Sequence, residues 1–133
     1  MALIIDADVI IDGERGQFDL PTWLENQAEN DPQIAAITIA ELWHGVQRAT
    51  ETHGPRRECY LKMIIEGLPI LPYTETTALE HARLWAEMES SGKMIGYYDL
   101  VVAATALQHG GAVATFNERQ FAQVPGLKVI KPA

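Results

Sequence analysis

Short apolar runs alternate with longer amphipathic stretches along this chain. Ala2 to Ile5 is continuously apolar and ends at Asp6, the pattern of a short central strand buried on both faces. A turn or short helix follows through Val9 to Ile11, Gly13 and Gly16 mark a loop, and Leu20 to Asn30 reads as a helix with Pro21 near its start. Asp31-Pro32 breaks that helix. Ile34 to Thr38 is a second strand, joined at Thr38 to a helix reaching Thr50 in which Ile39, Leu42, Trp43 and Val46 recur at helical spacing. Pro55 opens a helix that ends near Gly67, and Leu68 to Leu71 is a third strand. From Thr74 to Ser91 the pattern is plainly helical, with Ala78, Ala82, Trp85 and Met88 on one face and Gly92 as terminator. Asp99 begins a nearly all-apolar helix ending at His109 to Gly111, and Ala112 to Thr115 and Leu127 to Ile130 complete the strands.

Strands alternating with helices imply parallel pairing through right-handed crossovers, hence an α/β class with helices on both faces of one mostly parallel sheet of four or five short strands. No internal repeat interrupts it. Ligands of such sheets gather beyond the carboxyl ends of the strands, where Asp6, the Thr38 to Glu41 turn and Asn117 fall.

Length and composition narrow the class further. The 133 residues, 47% hydrophobic and 21% charged, suit a single globular domain spanning 1–133. The longest apolar stretches, Ala2 to Ile5 and Leu100 to Leu107, fall well short of the roughly 20 residues a membrane helix needs. No basic region precedes the first apolar run, so a cytoplasmic protein without a signal peptide is expected. Cys59, the lone cysteine, has no internal disulfide partner.

A net charge of −8 argues against a nucleic-acid partner, because phosphate binding rests on Lys and Arg. Bound divalent ions would reverse the local sign wherever carboxylates cluster. Arg15, Arg48, Arg56, Arg57, Lys93 and Arg119 remain candidates for a cleft rim, although a solvated helix face is the preferred reading for each.

Four segments hold the candidate chemistry: Asp6 in LIIDADVII, Glu41 in TIAELWHGV, Asp99 in YYDLVVAATAL and Asn117 in VATFNERQF. Singly, each has a structural explanation. Asp6 suits a turn or cap, Thr38 and Glu41 have capping-box spacing, Asp99 suits an N-cap and Asn117 a turn. Gathered at one sheet edge, the carboxylates would repel unless a cation neutralised them, and an oxygen-rich pocket of this kind suits Mg²⁺ or Mn²⁺. His44, His53, His81 and His109 lack zinc-ligand spacing, and the core is preferred for Trp85.

In order and spacing these four motifs resemble those of PIN-domain proteins, especially VapC-type toxins of toxin–antitoxin pairs, over nearly the whole chain to VPGLKVI. The resemblance implies a PIN-like three-layer α/β/α domain with a Mg²⁺- or Mn²⁺-dependent endoribonuclease site, inhibited by a cognate VapB-type antitoxin and commonly a homodimer. By motif match, Asp6, Glu41 and Asp99 are the metal ligands and Asn117 is a fourth catalytic residue. Asn117 stands where the family places Asp or Asn, and its uncharged amide weakens a second metal site. Ala7 stands where the family often has Thr or Ser, and Asp8 where it often has Asn. Asp8 is either an acid behind the ligands or an exposed turn residue, and Glu118 either a substitute ligand or a residue pointing away.

Two other functions fit parts of the sequence. Asp6-Ala7-Asp8-Val9 after an apolar strand also resembles the nucleophile motif of haloacid-dehalogenase-like phosphatases, which would leave Glu41 and Asp99 without a role. The other is a binding module that holds RNA or protein and cuts nothing, to which Ala7 and Asn117 lend weight.

Overall fold

The computed structural model describes residues 1–49 and 52–133; the Thr50 end expected for the second-strand helix lies outside the described residues. Five strands, β1 (Leu3–Ile5), β2 (Pro32–Ala35), β3 (Ile70–Leu71), β4 (Ala112–Ala114) and β5 (Lys128–Ile130), form one parallel sheet in the order β3-β2-β1-β4-β5. The helices are α1 (Ala7–Glu14), α2 (Leu20–Asn26), α3 (Ala36–Arg48), α4 (Gly54–Glu66), α5 (Glu75–Ser91), α6 (Tyr97–Gln108) and α7 (Glu118–Phe121), with a 3₁₀ turn at Ala28–Asn30.

Strand alternation divides the core into two layers. Leu3 and Ile5 on β1 and Ala112 and Ala114 on β4 face one side with Ile34, Val9, Ile10, Leu20 and Leu61. Ile4 and Val113 face the other, against Leu84, Met88, Leu100, Ala103 and Phe121. The register sets Leu3 beside Ala112, Ile4 beside Val113 and Ile5 beside Ala114, so each layer meets matched side chains across the central pair. Fully burying each large aliphatic contributes about 1.5–3 kcal/mol. This fixes β1 at the centre of the sheet, with Asp6 just past its carboxyl end.

Several elements differ from the sequence expectation. Asp6 leads directly into α1, and Gly13 lies within that helix instead of a loop. A Cβ on Gly13 would stand 2.6 Å from the Tyr60 hydroxyl and 2.8 Å from Leu20 Cβ, so the glycine permits close approach of α2 and α4. The β2 strand ends at Ala35 and α3 starts at Ala36, two residues before the expected junction, which leaves Thr38 and Glu41 inside a helix without a capping box. The N-cap of α6 is Gly96, so Asp99 belongs to its first turn. On α5 the buried residues are Thr77, Leu84 and Met88, whereas Trp85 is 38% exposed and stacks on His81 with ring centroids 5.5 Å apart. The core assignment of Trp85 is therefore corrected. Thr77 takes the inner face because its hydroxyl closes a capping box with Thr74 and donates to Gln108 Oε1 at 2.6 Å. No helix among the described residues is long and apolar enough to cross a membrane.

Candidate active site

The carboxyl edge of the sheet brings Asp6, Asp8, Glu41 and Asp99 within electrostatic reach of one another. Asp6 is the N-cap of α1 and is 5% exposed. Its Oδ1 accepts from the Ala7 backbone N–H at 2.9 Å and its Oδ2 from the Thr115 hydroxyl at 2.8 Å. Burial raises its pKa, and the charge of Asp99 adds to the rise against the lowering effect of these bonds.

Asp8, two residues on in α1 and less buried than Asp6, accepts at Oδ2 from the Phe116 backbone N–H at 3.1 Å and lies 3.2 Å from the Thr115 hydroxyl. One hydroxyl proton serves one acceptor at a time, and the shorter distance assigns it to Asp6. Burial, then the charge of Asp6, pushes Asp8 up to about 6. Asp8 is half-buried within α1 and bonded to the turn after β4, so it is not the exposed turn residue that was one of its two sequence readings. Thr115 Oγ1 also accepts from the Asn117 backbone N–H at 2.9 Å, so one hydroxyl joins the ends of β1 and β4.

Glu41, in the second turn of α3, forms the opposite wall. Burial pushes its carboxyl up to about 7, with the charges of Asp6, Asp99 and Asp8 adding to the effect. Its Oε1 is buried without a hydrogen-bond partner among the described residues, as is the Thr38 hydroxyl. A buried acceptor left bare costs about 1–3 kcal/mol, more for a charged group, so this oxygen is a point where a cation would stabilise the site.

Asp99 projects from the first turn of α6, where the helix dipole favours a negative charge. Burial and the charge of Asp8 nevertheless raise its pKa. Gln120 Nε2 donates to Asp99 Oδ2, and Gln120 Oε1 accepts from Asn117 Nδ2 at 3.3 Å. Asn117 therefore connects to the acidic cluster through Gln120; it is exposed, as is Glu118.

Thr115 and Gln120 are the two residues that the sequence reading passed over. Thr115 closes the predicted fourth strand at the ligand-binding edge, which was the available signal; Gln120 had none.

Among the described residues, no three Asp, Glu, His or Cys side chains already close on one point as a metal cage. The donor chemistry nonetheless fits a hard cation. Buried carboxylates raise one another's pKa values, Glu41 keeps a bare buried oxygen, and all the candidate donors are oxygens. Beside them lies a cleft of about 380 Å³ bounded by Ala7, Ile11, Ala40, Glu41, His44 and Tyr98. Arg57, a candidate for the rim, pairs with Glu14, with Nε–Oε2 at 3.7 Å, and donates from Nη1 to the Gly45 carbonyl at 3.3 Å; it lines a neighbouring cavity that Glu41 also lines.

Comparison with known proteins agrees with this arrangement. The PIN domain family model matches residues 3–127. VapC ribonuclease Y4jK of Sinorhizobium fredii is 33% identical over 138 residues, covering 98% of this chain and 96% of that protein. The fold is that of VapBC2 from Rickettsia felis bound to a promoter DNA fragment, with TM-score 0.91 and 23% identity over the whole of both chains. VapBC-5 from Mycobacterium tuberculosis, a member of the VapBC family of toxin–antitoxin systems, superposes with TM-score 0.78 at 27% identity over 98% of both chains. With the carboxylates at the sheet edge and the family model covering nearly its full length, this chain belongs to the PIN-domain family, in the group of VapC ribonucleases.

Proposed function

We propose that this protein is a Mg²⁺-dependent endoribonuclease, with Mn²⁺ as an alternative ion, and the toxin of a type II toxin–antitoxin pair. In this reading residues 1–133 act as one PIN-like domain, and Asp6, Glu41 and Asp99 hold the ion. The observation that carries it is the meeting of these carboxylates from three separate elements at the sheet edge, with Glu41 Oε1 buried and unpartnered. A divalent ion held there supplies charge to the phosphate and acidifies the attacking water.

The chain's own residues supply the rest. Thr115 and the Ala7 N–H fix Asp6, Gln120 orients Asp99, and Asn117 offers an amide to a water or phosphate oxygen at the outer edge. Asp8 holds the turn after β4 through Phe116 N–H. A phosphatase using Asp6 as nucleophile is disfavoured, since it would leave Glu41 and Asp99, whose carboxyls are half-buried beside the same cluster, without a role. The VapC relatives are ribonucleases by name, and the M. tuberculosis neighbour is a member of the VapBC family of toxin–antitoxin systems. On that basis a VapB-type antitoxin is the expected partner and a homodimer the expected assembly.

The test is cleavage of single-stranded and structured RNA by antitoxin-free protein with Mg²⁺, Mn²⁺ or chelator. A small protein from the adjacent gene should copurify and suppress the activity. RNA bound equally with and without metal, and never cut, would instead support the binding module.

A further inference from the structure

We propose that the cleft beside the carboxylates is a nucleobase subsite, in which a base flanking the cleaved phosphate stacks on Tyr98 and turns its edge to His44. The inference rests on the ribonuclease reading and names how the substrate is gripped. At about 380 Å³ the cleft is within the range of small-ligand sites, roughly 300–1,000 Å³. Its floor is apolar, from Ala7, Ile11 and Ala40, and its polar groups are Glu41 and His44. A mostly apolar lining with an aromatic ring and two hydrogen-bonding side chains suits a base, which has two π faces and a polar edge. An imidazole nitrogen can donate to or accept from that edge.

Tyr97 and Tyr98 are both exposed, at 68% and 59%, yet they differ in what they touch. Successive helical residues point about 100° apart. Tyr97 turns toward α5, its ring 5.9 Å from that of Trp85 and inclined at 64°. Tyr98 turns toward the cleft and has no aromatic ring partner among the described residues. It lines the same cleft as Glu41, so a base on its ring would hold the adjoining phosphate beside the carboxylates.

Charge makes stacking more important here. The chain carries eight more acidic than basic residues. Arg57 is paired with Glu14, Arg83 with Glu80 and Glu87, and Lys62 with Glu58. Among the described residues, no Lys or Arg lines the cleft, so base stacking supplies the affinity there.

The test is an NMR titration of the whole protein in Mg²⁺ with each of the four nucleoside 5′-monophosphates and with ribose 5-phosphate, repeated on Tyr98→Ala, Tyr98→Trp and Tyr97→Ala. Nucleotides should move the Tyr98 and His44 ring signals, and ribose 5-phosphate should leave them in place. Tyr98→Ala should weaken nucleotide binding by roughly fivefold to a hundredfold. Tyr98→Trp should restore it, and Tyr97→Ala should leave it unchanged. Equal binding by Tyr98→Ala, or equal shifts from ribose 5-phosphate, would overturn the subsite; so would a cleft that ignores all four nucleotides but is covered when a protein partner binds. Metal-dependent RNA cleavage, run in parallel, separates the two claims. Cleavage without base-dependent shifts removes the subsite alone, and base-dependent shifts at Tyr98 without cleavage remove the nuclease alone.

Discussion

On one side of the acidic cleft, Asp6 and Asp8 are bound by Ala7 N–H, Phe116 N–H and the Thr115 hydroxyl; on the other, Glu41 stands with Oε1 buried and bare. Both sides carry carboxylates raised first by burial, so the difference lies in what holds them. Hydrogen bonds fix the β1–β4 side before any ligand arrives. The α3 side lacks such a bond at Oε1 and has the most to gain from a cation. On the proposed reading the site is preorganised on one wall and relies on the ion on the other.

The largest effect should come from removing a carboxylate that bears on both walls. Asp6→Ala or Asp99→Ala should lower RNA cleavage by about a thousandfold or more, of order 4 kcal/mol in barrier, while circular dichroism shows the fold retained. Activity near wild type in either variant would end the assignment.

Next comes the bonded wall itself. Thr115→Val removes the hydroxyl that donates to Asp6 and accepts from the Asn117 backbone N–H. It should cost about 1–3 kcal/mol in stability by urea unfolding. The same change should weaken divalent-ion affinity by about 10- to 100-fold in calorimetry, as loss of an outer partner of a metal ligand does. Thr115→Ser should recover most of both. Gln120→Ala, which frees Asp99 Oδ2, should weaken ion affinity by about tenfold with a smaller loss of stability.

The smallest effect is a pH dependence, and it tests the bare wall. Glu41 and Asp8 hold protons in the native state, up to about 7 and about 6, that the unfolded chain has already lost. The native state therefore binds more protons in this window, and stability without metal falls as pH rises from about 4.5 to about 7. Solvent screening at half-buried Glu41 holds its share to about 1 kcal/mol. Thermal unfolding in chelator should show a higher midpoint at pH 5 than at pH 8, with Mg²⁺ narrowing the gap. Glu41→Gln should flatten the dependence; an unchanged slope would contradict the origin given for it.

The sequence made some of this legible and hid the rest for physical reasons. Strand β1 and its terminal Asp6 were visible because burial on both faces leaves an unbroken apolar run that a carboxylate must end. The start of α3 was misplaced because Ile34 to Ile39 contains apolar and small residues with neither strand nor helix period, so nothing local marks Ala36. Asp99 looked like a cap because an apolar helix follows it, whereas Gly96 takes that role. Trp85 looked like core because it lies in helical register with Met88, yet the buried stripe passes through Leu84. Thr115 and Gln120 act through partners 109 and 21 residues away, contacts that only the folded sheet creates.

The most direct test of the account is calorimetric titration of Mn²⁺ into metal-free protein at pH 7.5, comparing wild type with Asp6→Asn and Glu41→Gln. Wild type should bind Mn²⁺ saturably, Asp6→Asn should lose binding and Glu41→Gln should bind more weakly, with RNA cleavage following the same order. Equal Mn²⁺ binding by all three proteins would place the ion elsewhere and contradict a metal site built from the two walls.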